Sequence, residues 1–155
     1  MESSDQVLEL LAQAKVIAQR YYALTQKPLG ITGEVAEYEA ARILGVTLSA
    51  ARQAGYDATE KVAGKTRTLQ IKGRYLPNGC TPGQRLGSIQ PAKEWDAVLM
   101  VLLDSTFSAT EIWEADRVAV ISALTAPGSK ARNERGALAV AKFKSIGRLR
   151  WSVSA

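Results

Sequence analysis

The chain has no histidine and only one cysteine, Cys80. A lone thiol rules out an intramolecular disulfide framework. Without imidazole there is no ordinary His/Cys zinc site and no Ser-His or Cys-His nucleophile pair. Acid-base work therefore falls to Asp, Glu, Lys or a metal-bound water. No apolar run approaches the roughly 18–20 residues of a membrane span. The longest, Ala97–Leu103, is bracketed by Asp96 and Asp104. Neither GxGxxG nor a P-loop occurs, so no nucleotide cofactor is expected. Residues 1–10 contain Glu2 and Asp5 and lack the basic flank and apolar core of a secretion signal. A soluble, cytoplasmic protein with no membrane partner is the expectation. No internal repeat or low-complexity tract is present.

What is present suits one domain over 1–155. At 155 residues and 46% hydrophobic content, such a chain buries about 70% of the surface its unfolded form exposes. The net charge of +5 is uneven, because residues 129–155 hold seven basic side chains and one acid, Glu134. A polyanion is the natural partner of such a segment, through release of condensed counterions; a merely solubilising surface is the alternative.

Apolar residues at three-and-four spacing (Val7, Leu8, Leu10, Leu11, Ala14, Ile17, Ala18, Tyr21) predict a packing helix within 1–28. A second helix is expected from Thr32 as cap to Leu44, closed by Gly45. A helical turn over 49–54 carries Arg52. Strands follow over 55–61 and 66–74, then a long surface loop over 76–95, rich in Pro and Gly. The unbroken apolar run Ala97–Leu103 predicts a central strand covered on both faces, giving an α/β architecture. Beyond it come a neighbouring strand (110–114), a helix (115–124), a basic loop (127–135), a short strand (137–140), a helix (141–147) and Trp151 packing back onto the body.

The segment AGYDATEKVAGKTRTLQIKGRY reads as a hairpin folded about Ala63 and Gly64. That fold sets Asp57 opposite Gln70, with Cβ atoms about 5 Å apart. Alternation places Thr66, Thr68, Gln70 and Lys72 on one face and turns Leu69 and Ile71 into a core. In the second helix Glu34, Glu37, Ala41 and Leu44 form one stripe running from acid to apolar, while Glu39 falls on another face and reads as solvated. An acidic helix, an Asp on one strand and an amide-x-Lys on the next can converge on Mg²⁺, a hard ion that takes oxygen ligands. Gln70 offers a neutral oxygen, so Glu37 or Glu34 must supply compensating charge. Asp96 and Asp104 read as caps or loop anchors. Lys65 and Arg67 read as phosphate contacts or as a solvated hairpin face, and Trp113 and Trp151 as base-stacking, core or rim residues.

In this order, Glu37 (or Glu34), Asp57, Gln70 and Lys72 resemble the PD-(D/E)xK nuclease superfamily. Its core has a helix bearing Glu, then a hairpin with Asp on the first strand and Glu/Gln-x-Lys on the second. The resemblance covers about residues 30–113, and the segments GYDA, QIKGR and ARNERG are similar to small bacterial members. It implies a restriction-endonuclease-like αβββαβ core with a central mixed β-sheet flanked by helices. The catalytic core would span 30–125 and a basic C-terminal segment 126–155. It further implies Mg²⁺, with Mn²⁺ as a substitute, bound by Asp57, Gln70 and Glu37, and hydrolysis of DNA assisted by Lys72. Arg52, Arg74, Lys130, Arg132 and Arg135 would contact the DNA backbone, and a homodimer would allow both strands to be cut. Two departures stand out: Tyr56 replaces the proline that often precedes the Asp, and Gln70 the commoner acid. The alternatives are a DNA-binding protein of the same fold that does not cut, and a regulatory or structural subunit whose basic segment meets an acidic partner.

Overall fold

A computed structural model describes residues 2–27, 29–49, 55–79, 83–127 and 136–154. Cys80, Arg52, Lys130, Arg132 and Arg135, and with them most of the turn expected over 49–54 and the basic loop, lie outside the described residues. The helices are α1 (Glu2–Thr25), α2 (Thr32–Leu44), α3 (Arg117–Thr125) and α4 (Val140–Ile146). The strands are β1 (Thr47–Leu48), β2 (Ala58–Val62), β3 (Lys65–Tyr75), β4 (Arg85–Leu86), β5 (Ala97–Leu103), β6 (Ala109–Asp116), β7 (Leu138–Ala139) and β8 (Arg148–Ser152). Six strands form a mixed sheet ordered β1-β2-β3-β5-β6-β8, in which only β3 and β5 run parallel. β4 and β7 make a separate two-stranded ribbon. Among the described residues no helix is long and apolar enough to cross a membrane.

Every residue of β5 is buried, as its unbroken apolar sequence requires. Leu99, Val101 and Leu103 pack with Val35, Ala36 and Ala40 of α2 on one face. Val98, Met100 and Leu102 pack with Val120 and Leu124 of α3 and Phe143 of α4 on the other. The β2–β3 hairpin has the expected register: Val62 faces Lys65 and Ala58 faces Leu69. Its tight turn sets both Ala63 (φ 52°) and Gly64 (φ 79°) left-handed, the geometry that matches strand twist.

Gly73 is the close-approach point between sheet and helix. A Cβ there would lie 2.6 Å from Ala36 Cβ and 3.1 Å from the Thr32 carbonyl. The glycine in QIKGRY thus seats α2 directly on β3.

Several expectations need correction. Thr32 is the first residue of α2 and not its cap; Ile31 holds that place with no side-chain hydrogen bond, whereas Gly45 closes the helix left-handed as expected, its N–H donating to the Ala41 carbonyl at 3.0 Å. The 76–95 stretch is more than a surface loop, because Leu76, Leu86, Ile89 and Trp95 are buried and cover the second face of the sheet. β1 and β8 were not foreseen, and Trp151 packs on the core from within β8. Glu39 is completely buried and not solvated. α1 crosses that side of α2, and Glu39 accepts from Lys15 (3.3 Å), Arg42 (3.0 and 3.1 Å) and the Ala109 N–H (2.8 Å). Burial alone would raise its carboxyl, but these donors outweigh it and hold the group below the usual carboxylate range.

Arg67 is likewise built in. It bridges Glu60 (2.8 Å) and Glu114, and Arg150 bridges the same two carboxylates at 2.9–3.2 Å. The hydrogen bonds to Glu114 and Glu60 push the Arg67 guanidinium above its already high range.

Candidate active site

Pairing between β2 and β3 stops at Ala58 and Leu69, while β3 continues to Tyr75 against β5 on its other side. Beyond residue 69 this edge of β3 is paired with no strand among the described residues, and Asp57 stands where the ladder ends. The Asp57 N–H still donates to the Leu69 carbonyl (2.8 Å), but the next ladder position is filled by a side chain: Asp57 Oδ2 accepts from the Ile71 N–H at 2.8 Å. The carboxylate stands in for a backbone carbonyl and is fixed in direction. Its Oδ1 has no hydrogen bond among the described residues.

Gln70, Lys72 and Arg74 pair in register with Val98, Met100 and Leu102, so they share the second face of the sheet. Leu69 and Ile71 point the other way, into the α2 side of the core, as alternation predicts. Gln70 is buried. Its Nε2 donates to the Gly55 carbonyl at 3.1 Å, and its Oε1 is buried without a hydrogen-bond partner. A buried carbonyl oxygen left unpaired is costly unless a ligand meets it. Arg74 Nε on the same face is similarly unpartnered, as is Gln84 Oε1 beside β4. Gln84 was not singled out from sequence, because a polar residue in a Pro/Gly-rich stretch carries no periodic signal.

The fourth element is α2. Glu37 is half-buried and Glu34 exposed, so the acid-to-apolar stripe does carry one glutamate inward. Burial first, then the negative charges of Asp57 and Glu34, together push the Glu37 carboxyl up to about 7 against the opposing charge of Lys72. Glu37 therefore shares one electrostatic environment with Asp57 and Lys72. Among the described residues, however, no group of three or more His, Cys, Asp or Glu side chains is gathered as a ready metal cage. The available oxygens are those of Asp57, Glu37 and the amide of Gln70, with Lys72 as the nearby cation.

A cavity of about 390 Å³ opens beside Tyr56, lined also by Thr68, Lys93, Trp95, Asp96 and Arg117. Asp96 anchors it as expected for a loop residue, accepting from Thr68 N–H (2.8 Å) and Oγ1 (3.2 Å). Asp104 does the same for Thr106 and Ser108. Trp113 donates to Glu111 at 2.6 Å, with the Lys144 ammonium over its ring at 5.5 Å.

No family model and no curated protein matches this sequence, so the chemistry of Asp57, Gln70, Lys72 and Glu37 itself carries the functional reading.

Proposed function

We propose that the protein is a Mg²⁺-dependent phosphodiesterase acting on DNA, on a restriction-endonuclease-like core formed by α2, β2, β3, β5 and α3, with β6 interposed. The observation that carries this reading is how Asp57 and Gln70 are pinned. Each commits one atom to the backbone, at Ile71 and Gly55; the Gln70 Oε1 is left buried without a partner, and Asp57 shares the electrostatic environment of the half-buried Glu37. Oxygens fixed in this way suit a hard divalent cation, and the raised Glu37 carboxyl reports a site that gains from a compensating positive charge. Asp57, Gln70 and Glu37 would hold the ion. When bound, it supplies charge neutralisation at a phosphoryl oxygen and a more acidic water.

The remaining roles belong to the chain. Lys72 places its ammonium where negative charge develops on the phosphoryl group. Asp57 and Gln70 keep their orientation through the backbone contacts, which lowers the reorganisation needed during reaction. Arg74 contributes a phosphate contact that positions the duplex without reading its sequence. Arg52, Lys130, Arg132 and Arg135 are proposed to extend that contact. Arg148 and Arg150 were counted in the basic segment but are tied to Glu114 and Glu60, which leaves less free positive charge than the sequence suggests.

The test is cleavage of duplex, single-stranded and branched DNA with Mg²⁺ or Mn²⁺. Asp57→Asn, which keeps an acceptor for the Ile71 N–H, and Lys72→Ala should each lower the rate by about 10²–10³-fold with an unchanged melting temperature; equal rates in wild type and variants would defeat the reading. A second reading, DNA binding without cutting, is favoured by Gln70, whose neutral amide adds no negative charge to hold a cation. It predicts salt-sensitive binding that Asp57→Ala leaves intact, and no cleavage with any divalent ion.

A further inference from the structure

α1 carries a face that the domain leaves uncovered. Of the ten large apolar side chains exposed among the described residues, six lie on this one helix, which makes the exposure a property of the element and not scattered surface. Five of the six fall on a single line. Val7, Leu10, Ile17, Tyr21 and Leu24 are 48%, 62%, 57%, 38% and 87% exposed, and Ala14 fills the remaining step. The intervals are three, four, three, four and three, the a/d spacing of a two-helix seam. A different face docks α1 on the domain: Ala18 is buried, Tyr22 packs on the core, and Lys15 reaches Glu39.

We propose that this stripe pairs with the same stripe of a second copy of the chain, antiparallel, about a two-fold axis between residues 15 and 16. Side-chain size argues for that direction. Antiparallel pairing puts Ala14 against Ile17, Val7 against Leu24 and Leu10 against Tyr21, so each layer joins a smaller residue to a larger one. Parallel pairing stacks Ala14 on Ala14 and Tyr21 on Tyr21, leaving a void in one layer and crowding in another. Charge argues the same way. Exposed Asp5 and Glu9 lie toward the N-terminal end, while exposed Arg20 and Lys27 lie at or just past the C-terminal end. Only the antiparallel arrangement brings the acidic end of one helix alongside the basic end of the other. The seam from Val7 to Leu24 is about 26 Å long at 1.5 Å per residue, and such a self-complementary contact closes as an isologous dimer.

This inference does not depend on nuclease activity, and its test uses neither DNA nor metal. Sedimentation equilibrium of the full chain should give twice the mass of one chain. Ile17→Glu should halve that mass while the far-UV circular dichroism stays unchanged. Val118→Glu, which alters an exposed apolar residue on α3, should leave the dimer intact. Orientation is read by disulfide trapping in a Cys80→Ser background: a mixture of Val7→Cys and Leu24→Cys chains should cross-link, and Leu24→Cys alone should not. A monomeric wild type, a dimer that survives Ile17→Glu, or cross-linking of Leu24→Cys alone would each overturn the proposal.

Discussion

Glu37 and Gln70 each carry a cost of burial: Glu37 is half-buried beside the carboxylates of Asp57 and Glu34, and Gln70 keeps a buried carbonyl oxygen without a hydrogen bond. For Glu37 the consequence is a definite pH signature. Its carboxyl stands near 7 in the folded chain against 4.5 in the reference state. The folded state therefore binds the proton more tightly, and the associated stability is complete below about pH 4.5 and lost as pH rises through about 7. Glu37→Gln should raise metal-free stability at pH 8 by about 2–3 kcal/mol, less than the full displacement from 4.5 to about 7 would give because solvent screens the partly exposed group, and change little at pH 4; urea titrations at the two pH values measure this. Gln70→Glu should act in the opposite sense. It removes the donor to the Gly55 carbonyl and adds a charge beside Asp57, costing about 1–3 kcal/mol without metal, and Mg²⁺ should restore the melting temperature.

At the level of the element, α2 performs two jobs on two faces. One face brings Glu37 toward Asp57 and Lys72; the other buries Glu39 against α1 and the Ala109 N–H. Glu39→Ala leaves Lys15 and Arg42 without their shared carboxylate and should cost about 3–5 kcal/mol in chemical denaturation. Gly73→Ala should push α2 off β3, costing about 1–3 kcal/mol by overpacking, and should lower DNA cleavage as well, because the displaced helix carries Glu37. The hairpin was legible in sequence since turn residues and alternation are local signals, but the register counted across Ala63 and Gly64 runs only to Ala58 opposite Leu69; Asp57, expected within a strand over 55–61 and opposite Gln70, lies just before β2 and turns its carboxylate to the Ile71 N–H. The fate of Glu39 was not legible. Its partners Lys15 and Ala109 lie 24 and 70 residues away, and helical periodicity places a residue on a face without saying what covers that face. β1, two residues long, and β8, rich in arginine, offer too little alternation to announce themselves as strands.

For the molecule as a whole, the carboxylates act in opposition. For Glu60 and Glu114, burial alone would raise the carboxyl, but Arg67, Arg150 and Arg148 outweigh it, so both are depressed as Glu39 is. Stability from these three is present above about pH 4.5 and falls as acid protonates them. Combined with Glu37, this predicts a metal-free optimum at about pH 5, flattening toward neutral pH in Glu37→Gln, with melting temperature against pH as the readout. The segment seen in sequence as a basic tail is thus partly internal, and its arginines close the sheet through Glu60 and Glu114. The lone parallel neighbour pair in the sheet, β3 with β5, divides it into two locally formed halves: a β2–β3 hairpin, and β5–β6 joined through the 104–108 turn. Sequence-near pairings assemble faster than distant ones. Asp57, Gln70 and Lys72 all belong to the first half, and Glu37 to the helix that precedes it. The side chains proposed to act on DNA thus lie within one contiguous stretch of sequence, 32–75, so contact order alone predicts that they are brought together before the parallel seam between β3 and β5 forms.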